Sequence, residues 1–339
     1  MDSLKDNIQD NLQDCVEVQP ELSPFNEVIK DIKAGRMIIL VDDVDRENEG
    51  DLTVATEKLT TAHIQFMMQE ARGQICISIP QDIAEKLELP LQVLNNSSQF
   101  QTPFAVSVDE KNHISATASD RAATMKHIIE STSTPDDFVS PGHVFPLIVN
   151  RAGVLGRHGQ TEGSHDLALI SGCFPSGVIC EILNPDGTMA RGKELFEFAT
   201  QHNLKITSVA EIAKYRIQHE ALVRNISRRK INTPYGMFEA LTFYDDVESA
   251  EHIALVYGDI NNASKPLVAS CCEDIQKDLL HGFGSKIPEI LQNIANHGSG
   301  VLIYLRHSTE PKILNSLKSS VIVANILSFL EINDYVEIK

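Results

Sequence analysis

Met37-Ile38-Ile39-Leu40-Val41 runs into Asp42-Asp43-Val44-Asp45-Arg46-Glu47-Asn48-Glu49-Gly50-Asp51 and then into Leu52-Thr53-Val54-Ala55. The first, apolar run reads as a buried strand and the last four residues as a second one, so the acidic stretch joins two strands. Six of its ten residues are carboxylates, and Arg46 is its only base. Such charges repel one another, and hydrated exposure, arginine pairing or a hard cation could each offset them. Oxygen ligands of this kind suit Mg²⁺, Mn²⁺ or Ca²⁺. A calcium EF-hand loop fits poorly, because Gly50 is misplaced for its turn and no helix pair flanks the stretch. A solvated acidic turn is the commoner reading of such runs.

On the N-terminal side, Phe25 to Ala34 reads as a helix with Val28, Ile29 and Ile32 on one face and Gly35 as its stop. Residues 1–22 are polar and acidic and read as a disordered tail. On the other side, helices are expected at Ala62–Ala71, at Asp120–Ile129 with Asp120 as N-cap, from near Ser164, and at Arg191–His202. Strands are expected at Gln74–Ile79, Phe104–Val108, Val144–Val149 and Val178–Leu183, with Thr134–Gly142 as loop. Lys205–Tyr215 closes the unit with a short strand and helix. This alternation argues for helices on both faces of a sheet. The basic stretch from Arg216 to Lys230 reads as a linker. Beyond it lie strands at Met237–Phe243, His252–Tyr257, Pro266–Ser270 and Val301–Leu305, and an amphipathic helix carrying Ile287, Ile290, Leu291 and Ile294, stopped by Gly298.

A chain of 339 residues with 42% hydrophobic residues supports about two globular domains. Its formal charge of −18 argues against general nucleic-acid binding and leaves an anionic substrate in need of a local basic pocket. No apolar run reaches membrane-spanning length, and the N-terminus lacks a signal-peptide core. The six cysteines show no C-x-x-C spacing. Together these features point to a reduced, cytoplasmic protein without nucleic-acid or membrane partners.

Three further places carry candidate chemistry. Glu181 stands inside the apolar run Gly177 to Leu183, where a carboxylate must be protonated, paired or metal-bound unless it faces outward from an edge strand. Desolvation raises such a pKa, which suits a general base near neutrality. His143 lies between Pro141-Gly142 and Val144-Phe145-Pro146, whose fixed backbone suits a positioned acid or base, although lone histidines are more often structural. Arg157 to Glu162 joins a guanidinium, a glycine and a hydroxyl before a helix start, a combination that could cradle a phosphate. Asp120-Arg121 and Cys76 are weaker signals.

Asp45 to Asp51 resembles the signature of the 3,4-dihydroxy-2-butanone 4-phosphate synthase family. The resemblance continues in order through Ala118–Arg121, Pro135–Phe138, Pro141–Leu147, Gly177–Ile182 and Asp186–Arg191, spanning most of residues 24–217. It implies an α+β fold, a three-layer α/β/α sandwich around a mixed sheet at residues 23–217, followed after a linker at 218–230 by a smaller α/β domain at 231–339. It also implies a metal-dependent lyase of riboflavin biosynthesis that removes carbon 4 of D-ribulose 5-phosphate as formate, leaving L-3,4-dihydroxy-2-butanone 4-phosphate. The alternative is a non-catalytic sugar-phosphate-binding or scaffold homologue. By resemblance His143 and Glu181 are catalytic; Arg46, Asp51, Arg157, Thr161 and Glu181 bind substrate; and Mg²⁺ or Mn²⁺ sits on Glu47 and Gln160, the second standing where the family motif has histidine. His158 is a nearby histidine that replaces Gln160 only if the loop shifts. The family enzyme is a homodimer with its sites at the subunit interface.

Thr233–Phe238 and Glu251–Asp259 resemble the early strands of GTP cyclohydrolase II. The zinc cysteines of that family have no counterpart: Cys271 and Cys272 are adjacent, residues 282–288 lack a C-x-C, and His307–Pro311 replaces an arginine- and glycine-rich loop. The expectation is a degenerate domain without zinc and without cyclohydrolase activity.

Overall fold

The computed structural model describes residues 22–43, 46–247, 249–260, 263, 265–274, 278, 285–306 and 315–338. The tail expected at 1–22 lies outside them except for Leu22, as do Val44 and Asp45. The chain divides into two compact units, one ending at Ile212 and one starting at Ala213, with Leu155–Arg157 belonging to the second.

In the first unit the elements run α1 (Phe25–Lys33), β1 (Ile38–Val41), β2 (Gly50–Ala55), α2 (Thr61–Phe66), β3 (Cys76–Ile79), α3 (Gln81–Lys86), β4 (Val108–Glu110), α4 (Ala118–Ile128), β5 (Phe138–Ile148), α5 (Gln160–Ile170), β6 (Gly177–Glu181), α6 (Lys193–His202) and β7 (Lys205–Ser208), and α7 (Val209–His219) begins in it and continues past Ile212. The seven strands form one sheet in the order β4-β5-β3-β6-β2-β1-β7. The sheet is mixed: β3/β5 and β1/β7 are parallel, the other pairs antiparallel.

Alternation along β1 and β2 sorts the two faces. Ile39, Leu52 and Val54 enter a large buried cluster with Ile64 and Met67 of the α2 region, Ala122 and Met125 of α4, and Leu195 of α6. Leu40 points to the opposite face, where α5 packs over β1, β2, β3 and β6 and α1 packs beside it. A Cβ at Gly163 would stand 2.8 Å from Leu40, so this glycine lets α5 lie close on the sheet. The three-layer α/β/α sandwich is present.

Several boundaries differ from the sequence reading. The N-cap of α4 is Thr117, whose hydroxyl accepts the Asp120 N–H, and Asp120 itself lies in the first turn. The helix expected near Ser164 begins at Gln160, because Gly159 supplies an extended N-cap without a side-chain signal. The expected loop at Thr134–Gly142 is largely β5, paired to β4 through a bulge that the prolines do not prevent.

The second unit holds β8 (Val223–Thr233), β9 (Gly236–Asp245), β10 (Ala250–Tyr257), β11 (Leu267–Cys272), α8 (Ile287–His297), β12 (Gly300–Leu305), α9 (Asn315–Phe329) and β13 (Val336–Glu337), in a six-stranded sheet ordered β13-β11-β12-β10-β9-β8. From Val223 onward the basic stretch expected as linker is the edge strand β8, whose arginines face solvent while its backbone pairs with β9. Ile322, Ile326 and Leu327 of α9 cover one face of the sheet, and Ile290, Leu291 and Ile294 of α8 cover the other.

Candidate active site

Asp42 organises the acidic loop. Its buried carboxylate accepts the backbone N–H groups of Glu49 (2.9 Å) and Glu47 (3.2 Å) and an Arg46 guanidinium N–H (2.6 Å). The Asp42 N–H in turn donates to the Glu49 carbonyl (3.3 Å). Among the ways to offset the loop's charge, arginine pairing is therefore in place. Arg46 also holds the Glu47 carboxylate at 2.7 Å, donates to Gln160 Oε1 at 2.9 Å and lies over the Phe100 ring, 5.1 Å from its centroid. A second arginine, Arg191, pairs with Glu49 at 2.8 Å. Glu47, Arg46 and Gln160 thus meet at one point, and the early start of α5 is what brings Gln160 and the buried Thr161 there.

Strand register builds the rest. Asp51 stands opposite Glu181, Cys76 opposite Ile179, and Cys76 beside Phe145. By alternation Glu181 lies on the same face as Ile179, and His143 on the same face as Phe145, so His143, Glu181 and Asp51 share one face of the sheet; beyond Cys76 the β3/β6 register slips by one residue, to the bridge Arg72–Ile182. This is the sheet face that α5 covers. Glu181 Oε2 accepts the Gln74 N–H at 2.7 Å. A Cβ on Gly73 would stand 2.3 Å from the Glu181 carbonyl oxygen and 2.7 Å from Oε2, so the chain passes Glu181 at a distance only glycine allows.

The carboxylates here are short of water and close to one another. Burial, then the charges of Glu181 and Glu47, hold the Asp51 carboxyl well above its ordinary range. Burial likewise raises Glu181, against hydrogen bonds that lower it, and raises Glu49, where Glu47 adds and Arg191 subtracts. Asp51 is 4% exposed, and its Oδ1 has no hydrogen-bond partner among the described residues. A carboxylate oxygen is a hard donor of the kind Mg²⁺ takes; among the described residues no three His, Cys, Asp or Glu side chains are grouped to hold a metal ion, and the Arg46 guanidinium engages the oxygens of Glu47 and Gln160. Cys76, on the same face, is kept a neutral thiol by burial and by Glu181 and Asp51.

His143 is held from behind. The buried Asp109 accepts the His143 backbone N–H with Oδ1 (2.8 Å) and faces the ring Nδ1 with Oδ2 (2.7 Å), leaving the ring 44% exposed. Gly142 permits this approach, since a Cβ there would stand 2.1 Å from the Val108 carbonyl carbon. His158 faces Asp43 across 3.6 Å and does not meet Glu47 in any described contact. Arg157 is partly buried, three residues before α5. The structure thus joins Arg46, Glu47 and Gln160 in one contact set, and sets Asp51, Glu181 and His143 on one face of the sheet. Sequence reasoning gave no individual role to Asp42, Asp109, Gly73, Phe100 or Arg191, and read Gly142 only as part of the fixed backbone around His143. Only Asp42, at a strand end ahead of N–H groups left open by a turn, carried a local signal.

In the second unit Cys271 and Cys272 end β11, and the Cys271 thiol is pushed up to about 11 by burial, Asp278 and Cys272. Among the described residues no three His, Cys, Asp or Glu side chains are grouped to hold a metal. Residues 282–284 and His307–Pro311, on which the degeneracy reading partly rests, lie outside the described residues. No described helix is long and apolar enough to cross a membrane.

A buried carboxylate, an imidazole braced by aspartate and an arginine-bridged acidic loop, set on one face of a mixed sheet, define a site for acid–base chemistry. Residues 26–215 match the family model of 3,4-dihydroxy-2-butanone 4-phosphate synthase, and the chain belongs to that family. Residues 224–331 match the model of GTP cyclohydrolase II. A protein from Photobacterium phosphoreum named 3,4-dihydroxy-2-butanone 4-phosphate synthase is 40% identical over 299 residues, 87% of this chain and 82% of its own. Among solved structures, RibBX, a two-domain synthase from A. baumannii, superposes with a TM-score of 0.75 at 32% identity, covering 94% of each chain. A synthase in complex with two magnesium ions superposes with a TM-score of 0.55 at 31% identity, covering 58% of this chain and 98% of that one.

Proposed function

We propose that this chain converts D-ribulose 5-phosphate to L-3,4-dihydroxy-2-butanone 4-phosphate and formate in riboflavin biosynthesis, as a metal-dependent lyase. The observation that carries the reading is the placement of His143, Glu181 and Asp51 on one face of the sheet, together with the Arg46–Glu47–Gln160 cluster. A five-carbon sugar bound against this face meets both the imidazole and the carboxylates. Glu181, desolvated and held by the Gln74 N–H, is suited to take a proton from a sugar carbon or hydroxyl and return it. His143 is suited to move a second proton at a neighbouring oxygen. Arg157 and Thr161, at the start of α5, suit the phosphate, and Arg46 and Asp51 suit the sugar hydroxyls.

Mg²⁺ or Mn²⁺ held by Glu47 and Gln160 would polarise the sugar oxygens. Gln160 contributes a neutral carbonyl oxygen, a weaker donor than imidazole. The chain works as a cytoplasmic homodimer with its sites at the subunit interface. The second unit binds no zinc, hydrolyses no GTP and serves a structural role. The test is formate release from ribulose 5-phosphate with added Mg²⁺, with Glu181→Gln and His143→Ala beside the wild type. Loss of about 10²–10⁴ in rate in each folded variant supports the assignment. Wild-type turnover in either removes that residue from the mechanism, and no formate from the wild type at any metal concentration favours a sugar-phosphate-binding scaffold instead.

A further inference from the structure

We infer that Arg72 is a positioning residue for this reaction, setting the Gln74 backbone N–H on the Glu181 carboxylate; the inference rests on the reading of Glu181 as a proton-transfer group. Pairing between β3 and β6 holds at Ile77–Val178 and Cys76–Ile179 and resumes at the bridge Arg72–Ile182. Between those points Gly73, Gln74 and Ile75 face only Cys180 and Glu181. The extra residue is a β-bulge, a device that re-aims a strand locally. Here it turns the Gln74 N–H onto Glu181 Oε2 at 2.7 Å.

A bulge whose first residue is left-handed usually has glycine there. Arg72 fills that position at φ +68°, ψ 0°, while the glycine next to it, Gly73, is needed where the chain passes Glu181. A side chain kept where glycine would be at ease points to a task for that side chain. The Arg72 N–H donates to the Met67 carbonyl at 2.9 Å, closing the helical turn Met67–Ala71. Its Nη1 donates to the Glu70 carbonyl at 2.7 Å and to the Leu183 carbonyl at 3.2 Å. The Leu183 N–H returns to the Ala71 carbonyl at 2.9 Å. Among the described residues this guanidinium makes no ion pair, although the chain carries a formal charge of −18; it is spent on backbone oxygens. Arg72 stands two residues before Gln74, and Leu183 two after Glu181, so the tie between them locks the frame in which that N–H meets that carboxylate.

Arg72→Gly separates this task from plain support, because it removes the guanidinium bonds while relieving the left-handed backbone. It is expected to unfold in urea near the wild-type midpoint, yet to lose about 10–100-fold in kcat with KM little changed. Hydrogen exchange at the Gln74 amide is expected to become faster. The acid limb of the kcat–pH profile is expected to move to higher pH, since a carboxylate that loses an N–H donor holds its proton more tightly. The groups facing Glu181, namely Asp51, Glu47, Glu49, Cys76 and Cys180, are the same in both proteins. In the Glu181→Gln background, adding Arg72→Gly is expected to lower turnover no further, because Arg72 acts through that carboxylate. Wild-type kcat in Arg72→Gly, a loss of kcat with the acid limb and the Gln74 exchange unmoved, or additive losses in the double variant would each overturn the inference. Should Arg72→Gly fail to fold, the same measurements on Arg72→Lys, which keeps the backbone strain and loses the guanidinium, decide it in the same way. If Glu181→Gln itself turns over normally, it is the mechanistic role of Glu181 that fails.

Discussion

Gly73→Ala is the sharpest perturbation the structure offers, because it adds one methyl group outside the set of reacting residues. The new Cβ would stand 2.3 Å from the Glu181 carbonyl oxygen, 2.7 Å from Oε2 and 2.8 Å from its nitrogen. Real contacts of this kind do not fall below 3.0 Å, so Glu181 and residue 73 must part by at least about 0.7 Å. Two of the three contacts are backbone atoms of β6, which cannot swing aside as a side-chain tip can. The Gln74 N–H that holds Oε2 moves as well. A displacement of about 1 Å at a reacting group costs on the order of 10²-fold in rate, and overpacking of this kind costs about 1–3 kcal/mol in stability. Formate release under saturating substrate reads the first, and urea unfolding the second. Gly172→Ala is the control: that residue has φ +75° and nothing within 4 Å of the added Cβ, so it should lose stability and keep turnover. Wild-type turnover in Gly73→Ala would refute the claim that this close approach sets Glu181.

Gln160→His should lower the Mg²⁺ concentration needed for turnover by about 10–100-fold, since imidazole is the stronger ligand beside Glu47; an unchanged metal titration, with His158→Ala raising the requirement, would move the ligand to His158. Stability should depend on pH in a particular sense. The carboxyls of Asp51, Glu181 and Glu49 are raised in the folded state, so the fold holds their protons to higher pH than the unfolded chain does. Metal-free protein should therefore lose stability as pH rises from about 4 through these raised values, and Asp51→Asn should flatten the slope; denaturant midpoints that rise with pH across this window would contradict it. Elemental analysis should find no stoichiometric zinc in the full chain, and incubation with GTP should yield no formate; either result reversed would restore a working cyclohydrolase unit.

Local pattern carried the candidate site only so far. A carboxylate inside the apolar run 177–183 and a histidine between prolines can be read from neighbours in the chain, because burial and backbone restriction are local properties. The partner of that histidine is 34 residues away on β4, in Val108-Asp109-Glu110, where nothing distinguishes a bracing aspartate from a solvated one. Gly73 is equally silent, since its role is the room it leaves for β6 and not its own backbone angle. Helix starts were misread where the cap gave no side-chain signal, as at Gly159, or where a competing acid stood nearby, as Asp120 does next to Thr117. The layered fold was legible because alternation and period survive such errors. The edge strand β8 was not, because its exposed arginines hide the period of a strand that buries little.

The central claim is that this chain cleaves the bond that releases carbon 4 of ribulose 5-phosphate. Ribulose 5-phosphate labelled with carbon-13 at C4, incubated with the protein and Mg²⁺ and followed by NMR, tests it most directly. The account predicts that the label appears in formate, alongside an unlabelled four-carbon phosphate, and that Glu181→Gln abolishes its appearance. Label that stays in the sugar at every metal concentration, or that leaves as formate equally fast with Glu181→Gln, would contradict it.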